Sequence, residues 1–303
     1  MSALAKTQGS VSKRHESVEA LLAAHPEEAD PKKIIRRLAR EKVAYAKSHG
    51  WNGPPFCPKE LTSIFGIRCK EVHHDIRGDG RILKYPTGKI WIEYHGDRIP
   101  ERKRFTIFHE FAHTFFPDYC DFLPRHQNAA KAAADDEKEF ENLCDVAAAE
   151  MLFPAENFSA DLKALSRLGF EAVHDLRKKY VASIDATTYR LVELTDSVPC
   201  AAIFLVDQKG DHQGYGPLWV RNCSKNPLFK SYLRPGISPP ANSIVLHCYK
   251  NGVETTAPIK ETWWINNQPR TWLVQATKLP DIPHSPEYPK IAVLLFPSGY
   301  GRK

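Results

Sequence analysis

No apolar run in the chain approaches the 18 residues needed to span a bilayer, and residues 1–31 lack the hydrophobic segment of a secretory leader. The expectation is a soluble, cytoplasmic protein without a membrane partner. The seven cysteines (Cys57, Cys69, Cys120, Cys144, Cys200, Cys223 and Cys248) are odd in number, and no two have metal-clip spacing, so reduced thiols are expected rather than a disulfide framework. Strong charge of one sign is missing as well. A net charge of +6, with basic residues spread along the chain, demands no nucleic-acid partner. Residues 1–30 are rich in Ser, Lys, Glu and Ala and read as a disordered or weakly helical tail, and 124–136 is also poor in large apolar side chains. What remains is 42% hydrophobic over 303 residues, enough for a substantial core and, by length, two domains with a helical connector.

Residues 104–116 contain no Gly or Pro and read as one amphipathic helix that Pro117 ends. Within it, His109, Glu110, Phe111, Ala112 and His113 spell H-E-x-x-H. Histidines four apart lie one above the other on a helix, so both imidazoles can reach one ion while the glutamate between them turns toward its open side. Phe108, Phe111, Ala112 and Phe115 supply the apolar stripe that anchors such a helix. The spacing is that of a zinc peptidase. An accidental surface pair of histidines is the plain alternative.

A hydrolytic zinc site needs a third protein ligand and an open position for water. A second helix is predicted over 137–153, where Phe140, Leu143, Cys144, Ala147 and Met151 recur at helical spacing before Pro154. On it Glu141 and Asp145 lie four apart on one face, so Glu141 can bind metal while Asp145 receives the free N–H of a ligating histidine. Glu137, Glu139 and Glu150 share the helix, and acidic residues there are ordinarily a solvated face. Cys120 and Cys144 flank the site, where buried free thiols ordinarily serve as small apolar filler.

The stretches RFTIFHEFAHTFF and ENLCDVAAAEMLFP resemble the ImmA/IrrE family of intracellular zinc metallopeptidases, over residues 32–195. The resemblance implies an α+β, zincin-like metallopeptidase domain with Zn2+ held by His109, His113 and Glu141 and with Glu110 as general base. It also implies cleavage of a helix-turn-helix transcriptional repressor, a protein substrate, to relieve repression under stress. Phe153 stands where the family often has Met, and 118–139 is a long segment between the two helices. Zinc lowers the pKa of its water from about 15.7 to about 7. Glu110 would then take the proton and return it to the leaving amine. Tyr119, Arg125 and His126 are the nearby donors for an oxyanion, and the sequence selects none of them.

Upstream, helices are predicted over 31–49 and 58–65, then a hairpin of strands 80–85 and 89–94 joined by Pro86, Thr87 and Gly88. The strand Lys89, Ile90, Trp91, Ile92, Glu93, Tyr94 is expected to be the edge that binds extended substrate by β-augmentation. The alternative is a strand already paired on both sides. His73, His74 and His95 read as structural, because adjacent strand residues point to opposite faces. Arg36, Arg37, Arg40 and Lys42 alternate with apolar residues and Glu41, which is the pattern of a solvated helix face.

Beyond Pro154, helices over 170–180 and 183–194 form a helix-turn-helix-like pair with Ser183 as N-cap. The second helix offers a single basic residue, Arg190, which argues against direct DNA binding and for packing. From 198 the pattern changes to short β-prone runs at 201–206, 218–220, 243–249, 263–265, 272–276 and 290–296. The resulting division is a tail (1–30), a zincin-like domain (31–155), a helical connector (156–197) and a β-rich C-terminal domain (198–303). By the same family resemblance this last part is sensor-like, of the GAF type, with Trp219, Trp263, Trp264 and Trp272 in core packing rather than a ligand pocket. A competing function is a non-proteolytic regulatory or DNA-binding module on a zincin scaffold. A small-molecule zinc amidase is a weaker third.

Overall fold

Asp30 accepts a hydrogen bond from Lys32 N at 2.9 Å and Pro31 opens the first turn, so the amphipathic stretch after them starts a helix. The computed structural model describes residues 14–300 except 77, 121–133, 208–216, 232, 234, 256, 266–267 and 282–287. Two compact units result, 1–152 and 153–303.

The first unit contains α1 (Glu16–Ala24), α2 (Pro31–Ser48), α3 (Pro58–Ile64), α4 (Pro100–Ala112) and α5 (Ala134–Leu152). Its sheet has β1 (Arg68–Val72), β2 (Gly80–Lys84) and β3 (Ile90–His95). Pro at the first position of α2, α3 and α4 sets each start. Helix α2 buries Ile34, Ile35, Ala39, Val43 and Ala46 and packs on α5. Across that contact the fully buried Glu150 of α5 meets Arg40, with Nη2 3.1 Å from Oε1, and Arg36 at 3.8 Å.

Strand order is β1-β3-β2, with β1 parallel and β2 antiparallel to β3. The turn between β2 and β3 closes through Gly88, at φ 77°, and Tyr85 N donating to Lys89 O at 2.9 Å. Strand β3 is therefore the middle strand. This corrects the expectation that Lys89, Ile90, Trp91, Ile92, Glu93 and Tyr94 form a substrate-binding edge, because neighbours on both sides already use the backbone groups from Ile90 onward. Alternation of side chains marks a strand but not its neighbours.

A second correction concerns the N-terminal segment. Residues 16–24 form a helix whose Val18 and Leu21 are fully buried, and Ser17 Oγ donates to Asp118 Oδ2 at 2.8 Å. Only Val18, Leu21 and Leu22 of these nine residues are large apolar side chains, too few to mark a core-facing helix in a segment rich in Ser, Lys, Glu and Ala. Residues 1–13 lie outside the described residues.

The second unit contains α6 (Ala155–Ala164), α7 (Phe170–Tyr180), α8 (Ile184–Leu194) and α9 (Ile244–Asn251). Its strands are β4 (Ala201–Asp207), β5 (Leu218–Lys225), β6 (Ile259–Ile265), β7 (Gln268–Lys278) and β8 (Ile291–Pro297). They form one antiparallel sheet in the order β5-β4-β8-β7-β6. Every residue of β4 but the last is buried, so both sheet faces are covered. On one face Ala201, Ile203, Leu205, Val293 and Leu295 pack with Val245, Leu246 and Cys248 of α9. On the other, Phe204 stacks on Tyr189 of α8 with centroids 4.3 Å apart, and Phe170 N at the start of α7 donates to Gln275 Oε1 at 3.2 Å.

The helices expected as a connector over 156–197 thus lie on the sheet within one unit. No residue of α8 is fully exposed, Thr187 and Thr188 are buried, and buried Arg190 donates to Phe153 O and to Glu193. The expected strand over 243–249 is helix α9 instead. Ser243 caps it by accepting from Val245 N at 3.1 Å, Glu261 accepts from Ile244 N at 2.6 Å, and Gly252 at φ 68° ends it. Trp263 is buried in the core and Trp272 stacks on Phe229, as expected for packing.

Candidate metal centre

Helix α4 runs as far as Ala112, and a 3-10 turn over His113–Phe115 carries the last motif residue. Phe108, Phe111 and Ala112 are buried, which fixes the roll of the helix. His109 and His113 then face the same way, with ring centroids 5.2 Å apart and planes at 76°. Packed against α4, α5 presents Glu141, Cys144 and Asp145.

His109 is held at both nitrogens. Its Nε2 lies 2.9 Å from Glu141 Oε2 and its Nδ1 lies 2.8 Å from Asp145 Oδ1. Burial by itself would lower the pKa of this imidazole, but the hydrogen bonds to Asp145 and Glu141, with the charge of Glu110 behind them, raise it to about 10. Glu110 is buried, with Oε2 3.8 Å from His113 Nε2. The structure thus brings together His109, Glu110, His113, Glu141 and Asp145 from two segments separated by the long insertion.

The other acidic residues of α5 are placed elsewhere or differently engaged. Glu150 is taken by Arg40 and Arg36, and Glu139 pairs with Arg14 at 3.2 Å. Three further residues bear on the site in ways the sequence did not show. Cys144 is fully buried with Sγ 3.6 Å from His113 Nδ1, and its thiol pKa is pushed well above the ordinary value, first by burial and then by Glu141, Glu110 and Asp145. Phe140 lies against His113 with centroids 5.2 Å apart and stacks with His15 at 4.5 Å. Gly80 brings β2 against α4 so closely that a Cβ there would lie 2.4 Å from Thr106 Cγ2 and 3.2 Å from Glu110 Cγ. A glycine opening a strand was the available signal for that approach. Arg125 and His126, candidate oxyanion donors, lie outside the described residues.

The donor set suits a divalent cation. Two ligands on one tetrahedral zinc sit about 3.4 Å apart, from metal–nitrogen and metal–oxygen bonds of about 2.0–2.2 Å. His109 Nε2 and Glu141 Oε2, at 2.9 Å, are closer than that spacing, as in a direct hydrogen bond. Among the described residues, the close group of ligand-type atoms is His109, His113 and Cys144, within 4.8 Å of one another.

Residues 70–192 match the IrrE N-terminal-like domain, Peptidase_M78. Residues 70–192 thus form a domain of the ImmA/IrrE type. Over 168 residues it is 29% identical to the radiation response metalloprotease IrrE of Deinococcus radiodurans, covering 51% of this chain and 50% of that protein. The match therefore spans about half the length of that relative. In fold, the chain is similar to a Mycobacterium tuberculosis transcriptional regulator, with a TM-score of 0.57 at 13% identity over 92% of this chain and 78% of the other. The chain is a mixed α+β protein in which no helix among the described residues is long and apolar enough to cross a membrane.

Proposed function

We propose that this ImmA/IrrE protein is a zinc-dependent endopeptidase acting on another protein, with a helix-turn-helix repressor as the substrate class. The observation that carries this reading is His109, whose Nε2 faces Glu141 while its Nδ1 is held by Asp145. That is the arrangement in which a histidine's second nitrogen fixes tautomer and ring angle for ligation. His109, His113 and Glu141 would hold the ion. When bound, the ion acidifies water and polarises a carbonyl.

The chain's own residues supply the rest. Glu110, low in solvent access beside His113, receives the proton released when water attacks and hands it to the departing amine. Extended substrate backbone pairs with β2, not β3. Among the described residues β2 has a single strand neighbour, and Gly80 places it directly beside Glu110. The covered antiparallel sheet of the second unit supports a sensor-like domain of the GAF type.

Metal analysis and cleavage together test this. Glu110→Gln is expected to keep wild-type zinc content and lose at least 100-fold in cleavage of a candidate repressor, since general base catalysis contributes roughly 100- to 10,000-fold. Glu141→Ala is expected to lose zinc. Full biological effect in Glu110→Gln would instead favour the non-proteolytic regulatory reading. The burial of α8 weighs against that reading's DNA-binding form, because the helix has no open face for a groove.

A further inference from the structure

We propose that Cys144 is the positioning residue for His113, accepting the Nδ1–H of that imidazole in an N–H···S hydrogen bond so that Nε2 keeps the lone pair. The inference rests on the metal centre proposed above. It concerns how the chain sets that centre before any ion arrives.

A neutral imidazole has one N–H, and the nitrogen that carries it cannot bind metal. The two motif histidines face this choice with different partners. His109 Nδ1 meets the carboxylate of Asp145 at 2.8 Å, whereas His113 Nδ1 meets Cys144 Sγ at 3.6 Å. Consecutive residues of α5 thus hold one ring each. The opposite nitrogens converge on the acidic side of the site, His109 Nε2 on Glu141 at 2.9 Å and His113 Nε2 on Glu110 at 3.8 Å.

Sulfur suits the position that it occupies. Cys144 is fully buried and His113 nearly so, and Glu110, Glu141 and Asp145 already crowd the site. Another carboxylate at 144 would have to be desolvated among three others. A neutral thiol accepts the N–H without adding charge, though weakly. Direct ligation by Cys144 fits less well, because Nδ1 and Nε2 lone pairs diverge across the ring. Ligand-type atoms of His109, His113 and Cys144 do lie within 4.8 Å of one another, so direct ligation is the outcome that a cobalt spectrum would reveal.

The test uses the full chain as wild type, Cys144→Ala and Cys144→Ser. Zinc affinity is measured by competition with a chromophoric chelator, the His113 tautomer of the metal-free protein from imidazole 15N shifts, and cobalt coordination from the absorption spectrum. The expected results are an Nδ1–H tautomer at His113 in the wild type and a mixed one in Cys144→Ala. Zinc binding in Cys144→Ala should be about tenfold weaker, the lower end for loss of a group that orients a ligand. Cys144→Ser, which retains an acceptor, should fall between. Circular dichroism showing both variants folded separates this from collapse of the site. The assignment is overturned by an Nε2–H tautomer in the wild type, by wild-type affinity and tautomer in Cys144→Ala, or by a thiolate-to-cobalt charge-transfer band. Absence of zinc affinity in the wild type would defeat the metal-centre reading, while the tautomer still decides the role of Cys144.

Discussion

Gly80 shows how much a missing side chain can decide, since even a methyl group there would collide with Thr106 and press on Glu110. Gly80→Ala is expected to cost about 1–3 kcal/mol, typical of overpacking, and to lower cleavage more than zinc content. Denaturant melts and metal analysis of one preparation check both halves. Arg190 is a second single-residue determinant: its guanidinium donates to Phe153 O at 2.8 Å and pairs with Glu193, all in the interior. Arg190→Met should destabilise by about 1–3 kcal/mol through the carbonyl left unpaired, read as a shift in denaturation midpoint. At alkaline pH, Tyr249 is the residue to watch. Its hydrogen bond to Asp207 raises the phenol pKa to about 12 from 10, so its stabilisation is complete below pH 10 and is lost as pH rises to 12. Tyr249→Phe should flatten that limb of the stability–pH curve. The role proposed for Cys144 was illegible in the sequence because a thiol reads as filler until the atom it touches is known.

Elements differ in how plainly the sequence declares them. Helices α2 and α8 were legible because Asp30–Pro31 and Ser183 at their starts coincide with an apolar period, α7 was legible from its apolar period alone, and α4 starts at Pro100, four residues before the expected 104. The run 243–249 misled for the opposite reason: seven residues, five of them hydrophobic, satisfy strand and helix alike, and the deciding groups are the Ser243 cap and Glu261, eighteen residues away. Ser243→Ala is expected to cost about 1 kcal/mol, measurable by thermal melting. Helix α1 was missed because its hold on the rest is through neighbours in space, Asp118 and Phe140, rather than through its own pattern. His15→Ala removes one side of the stack that steadies His113. Zinc affinity should fall a few-fold while the fold persists, and unchanged affinity would reduce α1 to a packing element.

For the molecule as a whole, the two-unit division was legible only coarsely, as a change from helical to β-prone patterning near residue 198. The boundary lies near 152, because the helices between belong to the face of the C-terminal sheet. Each unit has a core of its own. Leu295→Ala should destabilise the second unit by about 2–5 kcal/mol, with zinc content of the first unchanged; loss of zinc would show the units to be one cooperative body.

The clamp of Arg40 and Arg36 on Glu150 has a mechanical consequence further back along α5. Glu141 lies nine positions before Glu150, so whatever stops the helix from rolling about its axis at its C-terminal end sets the azimuth of that carboxylate. With side-chain tips about 5–6 Å from the axis, a roll of some 20° would sweep Glu141 by about 2 Å, the full length of a bond to zinc. Two arginines thereby set the aim of a carboxylate about two and a half turns away on the same helix.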